Sequence, residues 1–105
     1  TWSLRVAPSM VESALSRIPS DADRISQMTV GEIAFAAARL DGIPDLRAWA
    51  ESVGGRLILT GAPEPFYGRI DPWGTPPPAL DLQRRLVDAF DPQRVINPGR
   101  LPGGI

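Results

Sequence analysis

Hydrophobic and polar residues alternate strictly at the start of the chain, with Trp2, Leu4 and Val6 on one side and Ser3 and Arg5 on the other. A period of two sends successive side chains to opposite faces, so residues 2–7 read as a half-buried strand that Pro8 ends. Val11, Leu15 and Ile18 then recur at helical spacing up to Pro19, predicting a short helix over residues 10–18. Ser9 with Glu12 has the form of a capping box, in which each side chain bonds a free backbone N–H at the other's position. After the turn-like Ser20-Asp21-Ala22-Asp23, an extended stretch is interrupted at Val30-Gly31. Glycine tolerates the positive φ of a tight hairpin, so the stretch divides into strands over 24–29 and 32–39, with Ile33 and Phe35 facing inwards. The alanines at 36–38 keep a helix open as an alternative there, because alanine favours helix and is depleted in strands.

The clearest helical pattern follows. Ile43, Leu46, Ala50 and Val53 share one stripe, with Trp49 beside it. Pro44 and Asp45 suit a first turn, and Gly54-Gly55 suits a C-terminal stop. The continuous apolar character of Arg56-Leu57-Ile58-Leu59-Thr60 predicts a strand buried on both faces. The order β-α-β-β-α-β predicts an α+β fold, a ferredoxin-like sandwich of an antiparallel sheet with two helices on one face. This core occupies residues 1–61. Residues 62–78 form a proline-rich loop holding six of the twelve prolines together with Phe66, Tyr67 and Trp73. Such a loop is either functional or a surface segment whose aromatics patch the domain's own core. Residues 79–105 hold a last helix, with Leu82, Leu86, Ala89 and Phe90 as its buried stripe, and a tail.

Charge narrows the possible partners. The net charge is −1 and the pI is about 5.3, which provides no basic field for nucleic acid or an anionic membrane. All 11 basic residues are arginine. With neither Cys nor His, the segment offers no disulfide, thiol nucleophile, Cys/His zinc site or histidine base. No apolar run approaches the ~20 residues that span a bilayer, and the start is not a signal peptide. A soluble intracellular domain is expected. The opening without Met, already inside a strand pattern, is read as a fragment of a longer chain.

The most constrained stretch is Phe90-Asp91-Pro92 followed by Asn97-Pro98-Gly99-Arg100. Each proline fixes its own φ and pushes the preceding residue towards extended backbone. Asp91 and Asn97 are those preceding residues, and both can bond nearby backbone. Gly99 permits a sharp bend, after which Arg100 projects a planar, permanently charged fork. So stiff a segment makes sense if it delivers polar groups to a fixed place.

These residues resemble the carboxyl end of FAD-linked oxidases of the vanillyl-alcohol oxidase type, whose chains commonly finish in a helix followed by FDP…NPGR or NPGK. The likeness is greatest to the FAD-binding subunits of bacterial glycolate oxidase. The opening from Trp2 to Ser9, the Gly54-Gly55 exit into a strand and the last helix with its tail all resemble theirs, while residues 20–40 match only in pattern. The resemblance implies a C-terminal cap domain that covers a flavin held mainly by a missing N-terminal domain, in a protein oxidising a 2-hydroxy acid such as glycolate. It implies FAD contacts at Asn97, Gly99 and Arg100, and a substrate-side loop carrying Tyr67 and Trp73. It assigns no catalytic residue and no metal ligand to this segment. The partners implied are the chain's own FAD-binding domain and other glycolate oxidase subunits. The implied location is the cytoplasm, with attachment to the inner membrane through those subunits as the alternative. One departure stands out: many full-length enzymes of the superfamily place histidines in the cap, and this segment has none. A second reading therefore stays open, a ferredoxin-like module that binds a small molecule or dimerises without catalysis. RNA binding through the sheet is disfavoured, since no aromatic pair sits on the central strands.

Overall fold

The alternating start of the chain becomes β1 (Trp2–Arg5), an interior strand of a four-stranded antiparallel sheet. The computed structural model describes residues 1–66 and 68–105. The chain divides into two compact units, Thr1–Pro72 and Trp73–Ile105, so the proline-rich stretch is shared between them.

The first unit is α+β. A 3-10 turn over Pro8–Met10 leads into α1 (Val11–Arg17), followed by β2 (Asp23–Gln27), β3 (Glu32–Ala36), α2 (Ile43–Ser52) and β4 (Arg56–Leu59). The sheet order is β2-β3-β1-β4, with every neighbouring pair antiparallel. Leu4 lies opposite Ile33 and Leu57, and Trp2 lies opposite Phe35 and Leu59, which puts the inward residues of three strands in register. These residues form one buried cluster with Val11, Ala14 and Ile18 around α1 and Ile43, Leu46 and Ala50 of α2. Burial of each large member contributes about 1.5–3 kcal/mol relative to exposure, and this cluster carries the unit. Two arginines lie over tryptophan rings at its margin, Arg17 at 4.5 Å from Trp49 and Arg47 at 5.6 Å from Trp2.

Two close backbone approaches fix the ends of the elements. Gly31 has φ +68°, accepts the Val6 N–H at 2.9 Å, and a Cβ there would lie 1.9 Å from the Val6 carbonyl oxygen. Only glycine fits. At the end of α2, Gly54 takes the left-handed conformation and donates to Glu51 O, while the Gly55 N–H reaches Ala50 O at 2.8 Å. This is the glycine stop that the sequence predicts.

Several local expectations need correction. The Ser9–Glu12 capping box does not form: Pro8 opens a 3-10 turn that takes in Ser9, Met10 becomes the N-cap, and no side chain caps α1. The second hairpin strand ends at Ala36, short of residue 39, and the alanine run forms no helix. β4 is not buried on both faces, because Leu57 is buried while Ile58 and Leu59 are only partly so.

The second unit holds α3 (Leu80–Phe90) and a 3-10 turn at Pro102–Gly104. None of the α3 residues is buried, and the expected buried stripe of Leu82, Leu86, Ala89 and Phe90 is exposed, Phe90 at 83%. The pattern is amphipathic as read, but the unit contains no second layer among the described residues to receive the apolar face.

Candidate functional site

The tail is built around one carboxylate. Where α3 ends, the Asp91 N–H still donates to Val87 O at 2.7 Å, completing the helical ladder. Its side chain then turns onto the following backbone, with Oδ1 accepting the Val95 N–H at 3.0 Å and Oδ2 accepting the Ile96 N–H at 2.9 Å. Pro92 cannot extend the helix, and the Arg94 N–H closes a turn onto Asp91 O at 3.0 Å. The backbone bonds to Ile96 and Val95 hold the Asp91 carboxyl below the usual carboxylate range; burial opposes this and the Arg94 charge assists it. Arg94 has φ +55° and Asn97 φ +43°, both left-handed, so Asn97 does not take the extended backbone expected before Pro98; asparagine enters this region more readily than arginine does. Arg94 also pairs with Asp88 through its guanidinium.

Asn97-Pro98-Gly99-Arg100 is a β-turn closed by the Arg100 N–H to Asn97 O at 3.2 Å. Proline at its second position and glycine with φ +76° at its third make it type II. Gly99 has no atom within 4 Å of where a Cβ would lie, so the requirement is conformational. The turn is tied down from the proline-rich side: the Trp73 indole N–H donates to Arg100 O at 2.9 Å. Further on, Leu80 of α3 packs on Gly103, where a Cβ would meet Leu80 Cδ2 at 3.0 Å.

Of the residues singled out in the sequence, Asn97, Gly99 and Arg100 thus fall in one rigid turn, with the side chains of Asn97 and Arg100 exposed. Trp73 joins them through the Arg100 carbonyl. Tyr67 lies outside the described residues. An exposed amide and guanidinium on such a turn can bond carbonyl, carboxylate or phosphate oxygens. They present an edge to a partner and do not enclose one. Two concavities flank the turn within this unit. One, of about 280 Å³, is apolar and includes Leu86, Phe90, Ile96, Pro98 and Leu101. The other, of about 360 Å³, is lined by Arg84, Arg94, Pro98, Gly99 and Gly103.

The tie from Trp73 to Arg100 and the left-handed Arg94 are not legible in the sequence. Asp-Pro directly after a helical stripe is the one signal pointing to Asp91. Among the described residues no group of three or more His, Cys, Asp or Glu is arranged to hold a metal ion, and no helix is long and apolar enough to cross a membrane. Comparison with protein-family models, curated proteins and solved structures gave no match to this chain.

Proposed function

We propose that this chain is the C-terminal cap domain of an FAD-dependent oxidoreductase acting on a 2-hydroxy acid such as glycolate. The observation that carries the reading is the tail: Asp91, the Asn97–Arg100 turn and the Trp73 link give it a fixed form. That form leaves Asn97 and Arg100 exposed beside an uncovered apolar stripe of Leu82, Leu86 and Phe90. A rigid polar turn next to an apolar face is what a segment needs to dock on a flavin-bearing domain elsewhere in a longer protein. FAD, when bound, would supply the acceptor for the hydride of the 2-hydroxy acid. Asn97 and Arg100 would hold the cofactor or its domain by hydrogen bonds, and Gly99 would let the turn approach closely. None of this chain's residues is assigned a proton-transfer role. The finer fold assignment, a ferredoxin-like sandwich for Thr1–Pro72, belongs to the same reading and is supported by element order together with the sheet order β2-β3-β1-β4. Other subunits of a glycolate oxidase would be the partners, in the cytoplasm or at the inner membrane through them.

The test is the visible absorbance of the full-length protein, native beside an Asn97→Ala/Arg100→Ala double variant. A flavin spectrum that is lost or shifted in the variant is the expected result. An unchanged flavin spectrum in the variant would keep the cap reading but reduce the turn to a structural role. Failure to bind flavin under any reconstitution would sink the reading in favour of a small-molecule-binding or dimerisation module.

A further inference from the structure

The hollow of about 360 Å³ in the second unit combines two cations with bare main chain. It is lined by Arg84 of α3 and Arg94 of the tail together with Gly99, Gly103 and Gly104, and no Asp or Glu is among its described lining residues. The glycines hold φ of +76°, +74° and +73°, angles that strain a residue with a Cβ, so no side chain covers the backbone at these places. The Gly99 N–H takes no part in the bond that closes its turn, which runs from the Arg100 N–H to Asn97 O. Each arginine has a carboxylate neighbour outside the hollow. Asp81 lies 3.6 Å from Arg84, but its side chain is 94% exposed, so that pair contributes little. Asp88 engages Arg94 through Nη2 alone, and a guanidinium carries five N–H donors.

We propose that this hollow binds a phosphate group through Arg84, Arg94 and the main chain at Gly99. The geometry of the donors selects phosphate over carboxylate. A carboxylate offers two coplanar oxygens, which a single guanidinium fork satisfies. A phosphate ester presents three terminal oxygens and about 1.5 to 2 negative charges at neutral pH, which suits two guanidinium groups and an N–H together. Its larger charge also competes for the arginines against the singly charged Asp81 and Asp88. The site is arranged in advance of its ligand. Arg84 stands on α3, and the tail carrying Arg94 and the glycines is held by the Asp91 and Trp73 hydrogen bonds. The volume is at the small end of ligand cavities, about 300–1,000 Å³, and accommodates a small phosphate ester or the diphosphate of a larger molecule. The proposal holds whether or not the flavin reading does.

Titration of the 105-residue chain with inorganic phosphate at low salt, followed by the amide resonances, tests it. The expected result is saturable binding that moves the Gly99, Gly103 and Gly104 amides. Arg84→Gln should weaken binding about tenfold, the loss of one charge-assisted contact. Arg85→Gln removes the same charge from an exposed position of α3 outside the hollow, and should weaken binding by less than about twofold. Pyrophosphate distinguishes the source: tighter binding than phosphate assigns a diphosphate ligand, and weaker binding a monoester. Absence of saturation at millimolar phosphate overturns the proposal. So do equal losses from Arg84→Gln and Arg85→Gln, or glycolate bound as tightly as phosphate. The glycine shifts in the native chain decide the matter even if a variant fails to fold.

Discussion

The carboxylate of Asp91 accepts two backbone N–H groups, which an ionised oxygen pair does better than a protonated acid. Its native pKa is therefore lowered from the ordinary value of 3.8. A group with a depressed native pKa contributes stability that is fully present above its unfolded value and is lost as pH falls through the native one. The tail should keep its form above about pH 4 and loosen only in stronger acid. Protection factors of the Val95 and Ile96 amides, corrected for intrinsic exchange, measure this. Expected are values that drop in acid for the native chain and stay low at every pH for Asp91→Asn. At this scale the sequence is partly legible. Asp-Pro and Asn-Pro-Gly mark where the backbone must turn, because proline and glycine act through local sterics. The Trp73–Arg100 bond joins residues 27 positions apart, which no local pattern encodes.

Among the elements, α2 and α3 carry equally readable apolar stripes and end differently. Ile43, Leu46 and Ala50 of α2 join the cluster beneath the sheet, while Leu82, Leu86 and Phe90 of α3 stay exposed. Period reveals which side of a helix is apolar, whereas burial depends on what lies opposite. That is why the order of strands and helices within residues 2–59 follows from the pattern and the fate of the last helix does not. The misplaced cap on α1 has another cause: proline at position 8 competes with Ser9 for control of the first turn. Two phenylalanines make the contrast measurable. Phe35→Ala removes a side chain only 1% exposed and should cost about 3–5 kcal/mol in urea denaturation. Phe90→Ala should change stability by no more than about 0.5 kcal/mol.

The whole molecule is two units, and the first contains the entire buried cluster. With no cysteine, that cluster must hold its unit without covalent help. A chain ending at Pro72 keeps the Leu59–Pro72 and Arg47–Pro72 hydrogen bonds as well as all of the core. It should retain a cooperative thermal transition and the near-ultraviolet dichroism of its buried Trp2. A broad, non-cooperative melt would mean that the first unit needs residues beyond Pro72 to fold.

The Trp73–Arg100 bond joins residues 27 positions apart and so turns most of the second unit into a ring. Closing a flexible ring of that length costs roughly 3 kcal/mol of chain entropy. A neutral hydrogen bond contributes only about 1 kcal/mol against it. The indole link cannot close the ring alone. It is sustained because α3 replaces eleven freely jointed residues with a rod and Leu80 settles on Gly103. The link is a consequence of the helix, and any change that melts α3 releases the turn carrying Asn97 and Arg100.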